Sequence, residues 1–297
     1  MRSAFLLLLL GLLLPIATLS AQDNPNAGWQ PVAEILQSAP TDGGGYVRFN
    51  LPRSDLSVRV GDVRLVTGMA MVSWAGFSGT PDSAMAMGDL VLTASELGPV
   101  VKELTTHGVA ITAIHNHLER EIPQIVFVHF HADGSATDIA HRLDGALRLT
   151  GTPRPVSAPT PGLLTIDSTA VFETLGRRGR ALGALAQVSV LLVSEPVTLH
   201  GAPVLPALVC NSPINIQQVT PTRAVATGDF AVTESQLQPL LKALADGGII
   251  PIAVHSHLTG EEPRIYFVHF WGDASLADLL AGLRGALVAV RKPGATD

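Results

Sequence analysis

Cysteine is nearly absent from this 297-residue chain: Cys210 stands alone, so no internal disulfide can form. It also lies too far from the N-terminus to be the lipidated residue that follows a lipoprotein leader. Within the apolar stretch Val204 to Cys210 it reads as a small buried hydrophobe rather than a reactive thiol. Charge is sparse too, with 15% Asp, Glu, Lys and Arg and a net charge of −6. A nucleic-acid surface needs a basic patch to release counterions, and none is present. The densest basic run, Arg177, Arg178 and Arg180, reads as a solvated loop. Beyond the N-terminus no apolar run reaches the roughly 20 residues of a membrane span. The G-x-S-x-G elbow, the phosphate loop and H-E-x-x-H are all missing, which removes the commonest hydrolase and nucleotide signatures.

The N-terminus predicts export. Arg2 precedes an apolar run from Ala4 to Ile16, followed by Thr18, Ser20 and Ala21. A positive start, a short apolar core and small residues at its end form a secretory signal, here 1–21. Cleavage after Ser20 or Ala21 would leave a soluble periplasmic or extracellular protein with no membrane span. The whole chain is 47% hydrophobic, enough for a substantial core.

The chain repeats itself. GDLVLTASELGPVVKEL from Gly88 aligns with GDFAVTESQLQPLLKAL from Gly228; AIHNHL from Ala113 aligns with AVHSHL from Ala253; PQIVFVHF from Pro123 aligns with PRIYFVHF from Pro263. One constant offset relates all three pairs, a duplication. The expected domains are 25–151 and 165–291, with repeated cores from Gly45 to Leu149 and Ala184 to Leu287. The Pro-rich segment 152–164 reads as the linker.

Each copy predicts the same order of elements. In the first, Val47–Leu51, Val58–Val66, Met69–Phe77 and Ala84–Leu92 read as strands. A helix follows over Ala94–Thr106, with Thr93 and Glu96 as a capping box that Thr233 and Gln236 repeat, and with Gly108 and Gly248 closing the helices. Val109–His115, apolar on both faces, reads as a buried strand, Ile125–Phe130 as another, and Ser135–Leu149 as a second helix. The fold class is α+β: two tandem homologous modules, each a mixed β-sheet with a split βαβ, ferredoxin-like half and two helices on one face. A pseudo-two-fold axis should relate them.

Histidine is what the sequence has in place of these missing features. His115 and His117 flank Asn116, and His255 and His257 flank Ser256; His129 and His131 follow in the first copy, His269 and Trp271 in the second. Residues two apart on a strand share a face, so each H-x-H pair can aim at one spot. Imidazole is the commonest ligand for a divalent transition metal, zinc first, and a catalytic zinc takes three protein donors. The metal-ligand candidates are therefore His115, His117, His129, His255, His257 and His269. Glu121, Glu261, Asp89 and Asp229, also repeated, are candidate third ligands or acid–base groups, and a donor from the other module is a further candidate. Asp89 and Asp229 also read as turn residues bonding their own backbone. His107, His141 and His200 read as surface residues. Trp74 and Phe77 read as core.

Several of these segments together resemble the LppY/LpqO family of exported bacterial proteins: LPRSDLSVRV from Leu51, SWAGF from Ser73, AMGDLVLTASEL from Ala86, AIHNHL, ATGDF from Ala226, AVHSHL and EEPRIYFVHFWGD from Glu261. The resemblance implies an exported, duplicated domain of unknown function and no reaction. Relatives with a lipidated cysteine differ from this chain, and Ser256 departs from the H-N-H pattern. Two readings follow: an envelope metal-binding protein, with a metal-dependent hydrolase as its enzymatic form, or a non-catalytic module binding a small molecule or envelope component.

Overall fold

The computed structural model describes residues 27–157, 159 and 164–291. The expected leader, 1–21, and part of the expected linker, 152–164, lie outside the described residues. The first module contains α1 (Gln30–Leu36), β1 (Pro40–Asp42), β2 (Val47–Pro52), β3 (Arg59–Val60), β4 (Val63–Arg64), β5 (Val72–Thr80), β6 (Ser83–Thr93), α2 (Ala94–Thr106), β7 (Ala110–His115), β8 (Glu121–Ile122), β9 (Ile125–Gly134) and α3 (Ala136–Leu147). The second contains α4 (Ser168–Leu175), β10 (Gly179–Leu182), β11 (Leu185–Leu191), β12 (Thr198–Leu199), β13 (Ala202–Pro203), α5 (Pro206–Val209), β14 (Asn211–Thr220), β15 (Arg223–Val232), α6 (Glu234–Asp246), β16 (Ile250–His255), β17 (Glu261–Glu262), β18 (Tyr266–Ala274) and α7 (Leu276–Val290).

The two main sheets are copies, ordered β1-β2-β5-β6-β9-β7 and β10-β11-β14-β15-β18-β16. In each, the last strand but one lies between two strands joined through a helix: β9 pairs with both β6 and β7. Every pairing is antiparallel, which corrects the expected mixed sheet. The stretch Val58–Val66, expected to be broken at Gly61-Asp62, forms two short strands outside the main sheet, β3 pairing with both β4 and β8. The break is the turn at Gly61, with φ at +58°. β7 is an edge strand rather than a buried one, with Ile114 51% exposed. Each module also carries more helix than the expected pair, because α1 and α4 precede the repeated core.

Alternation along the strands gives each sheet two apolar faces. Leu90, Leu92, Val128 and Phe130 point to the helices, where Val100, Leu104, Ile139 and Leu143 close the first core. Ile214, Phe230, Val268 and Phe270 do the same against α6 and α7. The opposite faces meet each other. Met87 and Tyr46 of the first module pack with Leu208, Ala231, Leu258 and Phe267 of the second. Val58, Met69, Met71, Val91 and Phe127 pack with Leu185, Val225 and Trp271. The molecule is thus layered helices, sheet, sheet, helices, and the two inter-module clusters flank a polar centre.

Candidate metal centre

Asp89 is inside β6, paired with His129 on β9 and with Trp74 on β5. The turn reading is therefore overturned: both Asp89 and Asp229 are mid-strand and buried. Alternation along β6 sends Leu90 to the helices and Asp89 to the facing module. The glycine before each aspartate has a packing cause. A Cβ on Gly88 would sit 2.0 Å from the Trp74 carbonyl oxygen, and one on Gly228 would sit 2.1 Å from that of Pro213. The carbonyl of Gly88 then accepts from His129 Nδ1 at 3.1 Å, and that of Gly228 from His269 Nδ1 at 3.3 Å. A carbonyl only accepts, so Nδ1 carries a proton on both rings, and Nε2 of each has no hydrogen-bond partner. A histidine held by a backbone carbonyl through its other nitrogen is the usual way a metal ligand is oriented.

His115 ends β7, and its backbone pairs with Phe127. The ladder slips between Ile111 and Ala113, and His129 pairs with Ala113. The His115 and His129 rings stack at 4.8 Å between centroids, so His129 faces the H-x-H strand. Within each H-x-H pair the rings converge, at 5.0 Å for His115 with His117 and 5.1 Å for His255 with His257.

The shortest contacts between histidine rings cross between modules. His115 stacks on His255 at 3.9 Å, His117 on His269 at 3.6 Å, and His129 lies 3.8 Å from His257. His115 and His255 stand at the pseudo-two-fold axis, with the other two contacts as its arms. Asp229 meets His269 at its Nδ1, and Asp89 lies 3.3 Å from His117 Nε2. Two sets of ligand atoms lie within 4.8 Å of one another: His115, His129 and His255, and His115, His117 and His269. Each set draws on both modules. The sequence leaves a donor from the other module as one candidate among several and does not specify which histidines cross, because no local pattern encodes how two sheets dock.

The electrostatics suit a cation. Burial pushes His115, His117, His129 and His257 down from the ordinary histidine range, and His255 down to about 2. These rings are neutral at pH 7 and hold their lone pairs free for coordination. Both ring nitrogens of His115 and of His255 lack a hydrogen-bond partner, as does Nε2 of His129, His257 and His269. Burial raises the Asp89 carboxyl to about 6, against the pull of His129. Burial acts the same way on Asp229, but the charge and hydrogen bond of His269 outweigh it and hold that carboxyl low.

Glu121 and Glu261 are in neither ligand set. Both are buried, and their carboxylates accept from the backbone N–H of Ile125 and Ile265, four residues on, which shapes the turn into β9 and β18. Cys210 is buried, and burial pushes its thiol up to about 12. Phe77 is core, while Trp74 lies 4.1 Å beneath the Arg48 guanidinium. Among the described residues no helix is long and apolar enough to cross a membrane.

A family profile described as Domain of Unknown Function (DUF1259) matches residues 30–149 and, a second time, residues 169–289. The chain belongs to this family. Both DUF1259 copies include their H-x-H strand, their Gly-Asp pair and their downstream histidine. No curated protein matches the chain. Among solved structures, the fused permuted hexameric shell protein MSM0275 from the RMM microcompartment is 14% identical, over 72% of this chain and 88% of that one, with a TM-score of 0.19. The double ringed trimeric shell protein MSM0271 from the same microcompartment is 13% identical over 70% and 81%, with a TM-score of 0.18. Scores this low align little of the fold.

Proposed function

We propose that this DUF1259 protein binds a divalent transition metal, zinc first, in one centre built jointly by its two modules. The observation that carries the reading is the pair of three-histidine sets, each within 4.8 Å and each spanning the module junction. His115, His117, His129, His255 and His269 make up the two sets, His257 beside the His129 ring is a further candidate ligand, and Asp89 and Asp229 supply the compensating negative charge or further donors. Bare buried imidazoles without such a partner would be costly, since buried polar groups need one. A bound divalent ion of this kind would lower the pKa of a water to about 7, which is the chemistry of a metal-dependent hydrolase. In that case the residues left to handle protons are Asp89 and Asp229; Glu121 and Glu261 keep their turn-shaping contacts. We place the mature protein outside the cytoplasm, as an LppY/LpqO-like exported protein acting on a small molecule or envelope component.

Metal analysis of purified protein tests this. Stoichiometric zinc is expected in the wild type and should be lost in the H115A/H117A variant. H269A, which leaves the first module untouched, should also weaken binding, because its set crosses the junction. A folded wild type that takes up no zinc, copper, iron or nickel on titration would exclude the metal and leave the non-catalytic binding module.

A further inference from the structure

The duplication is symmetric at the histidines and asymmetric beside them. In the first half, a cleft of about 310 Å³ opens at the module junction, lined by Thr112, His131, Leu199, His200, Leu258 and Gly260 among others. The same place in the second half is filled. The constant offset puts Ile252 where Thr112 is and Trp271 where His131 is. The paired short strands put Gly61 where His200 is, since Val60 pairs with Glu121 as Leu199 pairs with Glu261. Trp271 is buried there, with Ile252, Val60 and Leu118 in one apolar cluster. Arg223 seals that side further, bonding Asp62 at 2.8 Å and Asp273 at 2.7 Å. The counterparts of Arg223 and Asp62 on the open side are Ser83 and Gly201, which carry no charge to make such a link.

The open side is also left wanting partners. Thr112 Oγ1 and His131 Nε2 are buried without a hydrogen bond. His131 lies 3.4 Å from Asp133, which is itself exposed. His200 lies against Gly260, where a Cβ would stand 2.8 Å from its ring. No lysine or arginine lines the cleft, and its remaining walls are Ala110, Leu199, Leu258 and Thr259. Imidazole and hydroxyl groups over largely apolar walls, with no lysine or arginine among them, suit an uncharged molecule with a hydroxyl group on an apolar ring better than a carboxylate or phosphate. His131 and His129 share a face of β9, about 6–7 Å apart along the strand, so the cleft adjoins the histidine cluster.

We propose that this cleft is a ligand site for a small uncharged hydroxylated compound of phenol type, held by His131, Thr112 and His200, and present once per chain. The proposal stands whether or not the histidine centre takes a metal. Phenol is the probe, titrated into metal-free and zinc-treated full chain while the His131 and His200 ring-proton resonances are followed. Saturable shifts of both rings in the millimolar range are expected. The H131W/T112I variant, which copies the filled half, should bind phenol at least about tenfold more weakly, one decade in Kd, with zinc content unchanged. If that variant fails to fold, H200G, copying Gly61, carries the same expectation. Absence of saturable shifts, or unaltered phenol binding in the variant, would overturn the site. Benzoate binding as tightly as phenol would overturn the chemical class.

Discussion

At the scale of single residues, the duplication acts as an internal control. Arg53 is 1% exposed, yet it is fully partnered: it donates to the Val91 carbonyl at 2.6 Å and to Glu96 at 2.8 Å, and pairs with Asp55 at 2.9 Å. The registers of β2 with β5 and of β11 with β14 place Leu192 and Ser194 at the positions of Arg53 and Asp55, and Gln236 stands for Glu96. Cation and anions disappear together, as expected where either alone would be a stranded buried charge. R53L should therefore destabilise the protein by about 3–5 kcal/mol, while the triple variant R53L/D55S/E96Q should recover most of that loss in denaturant unfolding. Recovery absent from the triple variant would mean that packing around Arg53, not charge, sets the cost. Gly88 gives a second prediction. A methyl there would drive β5 from β6, so G88A should cost about 1–3 kcal/mol and displace the carbonyl that orients His129. Zinc affinity should fall with it, measured by competition with a chelator. The repeated Gly-Asp was plain in the sequence, but its cause was not, because the clash is with a neighbouring strand.

Local signals fixed the elements best where their cause is local. The helix expected over Ala94–Thr106 has those bounds, and both halves of its capping box form, as they do at Thr233 and Gln236. T93A and T233A should each cost about 1 kcal/mol, read as equal shifts in unfolding midpoint. The strands were less legible. β7 looked buried because both its faces are apolar, but the sheet order makes it an edge, and order is set by long-range pairing. A bulge in β14, between Gln218 and Thr220, adds a residue that no sequence signal marks. Acid should separate the two modules at this scale. Burial raises the Glu96 carboxyl, but Arg53 and the N–H groups of Thr93 and Gly151 lower it further, leaving it below its ordinary value of 4.5. A lowered folded pKa contributes stability above the ordinary value and loses it as pH falls through the folded one. Gln236 has no such proton. Between pH 7 and about pH 3, protection against hydrogen exchange, taken relative to the intrinsic rate at each pH, should therefore fall more in α2 than in α6. Equal loss of protection would place the acid-sensitive group elsewhere.

The whole molecule is held together by what the sequence could least reveal, the docking of one sheet on the other. The histidines were legible as a repeated cluster, with each module expected to supply its own pair and the third donor left open between a downstream histidine, an acidic residue and the other module. Instead the arms cross, because the faces carrying Asp89, His129, Asp229 and His269 are pressed together by apolar clusters on either side. Hydrogen bonds add to the grip: Gln217 donates to the Arg64 carbonyl at 2.9 Å and accepts from the Val66 N–H at 2.9 Å. Arg223 joins Asp62 across the junction. The covalent linker is therefore not what keeps the modules paired. With a protease site inserted in the segment 152–164, cleavage should leave two fragments that co-elute at the intact protein's size in physiological salt. Surface ion pairs are screened at high salt while apolar burial is not, so 1 M salt, where the Debye length is about 3 Å, should not separate them. Bound zinc should raise the denaturant concentration at which the fragments part, since a ligand that binds only the paired state stabilises it. Fragments that separate without denaturant would show that the linker, not the interface, maintains the pairing. Fragments that stay together but gain nothing from zinc would confine the metal, if bound, to one module.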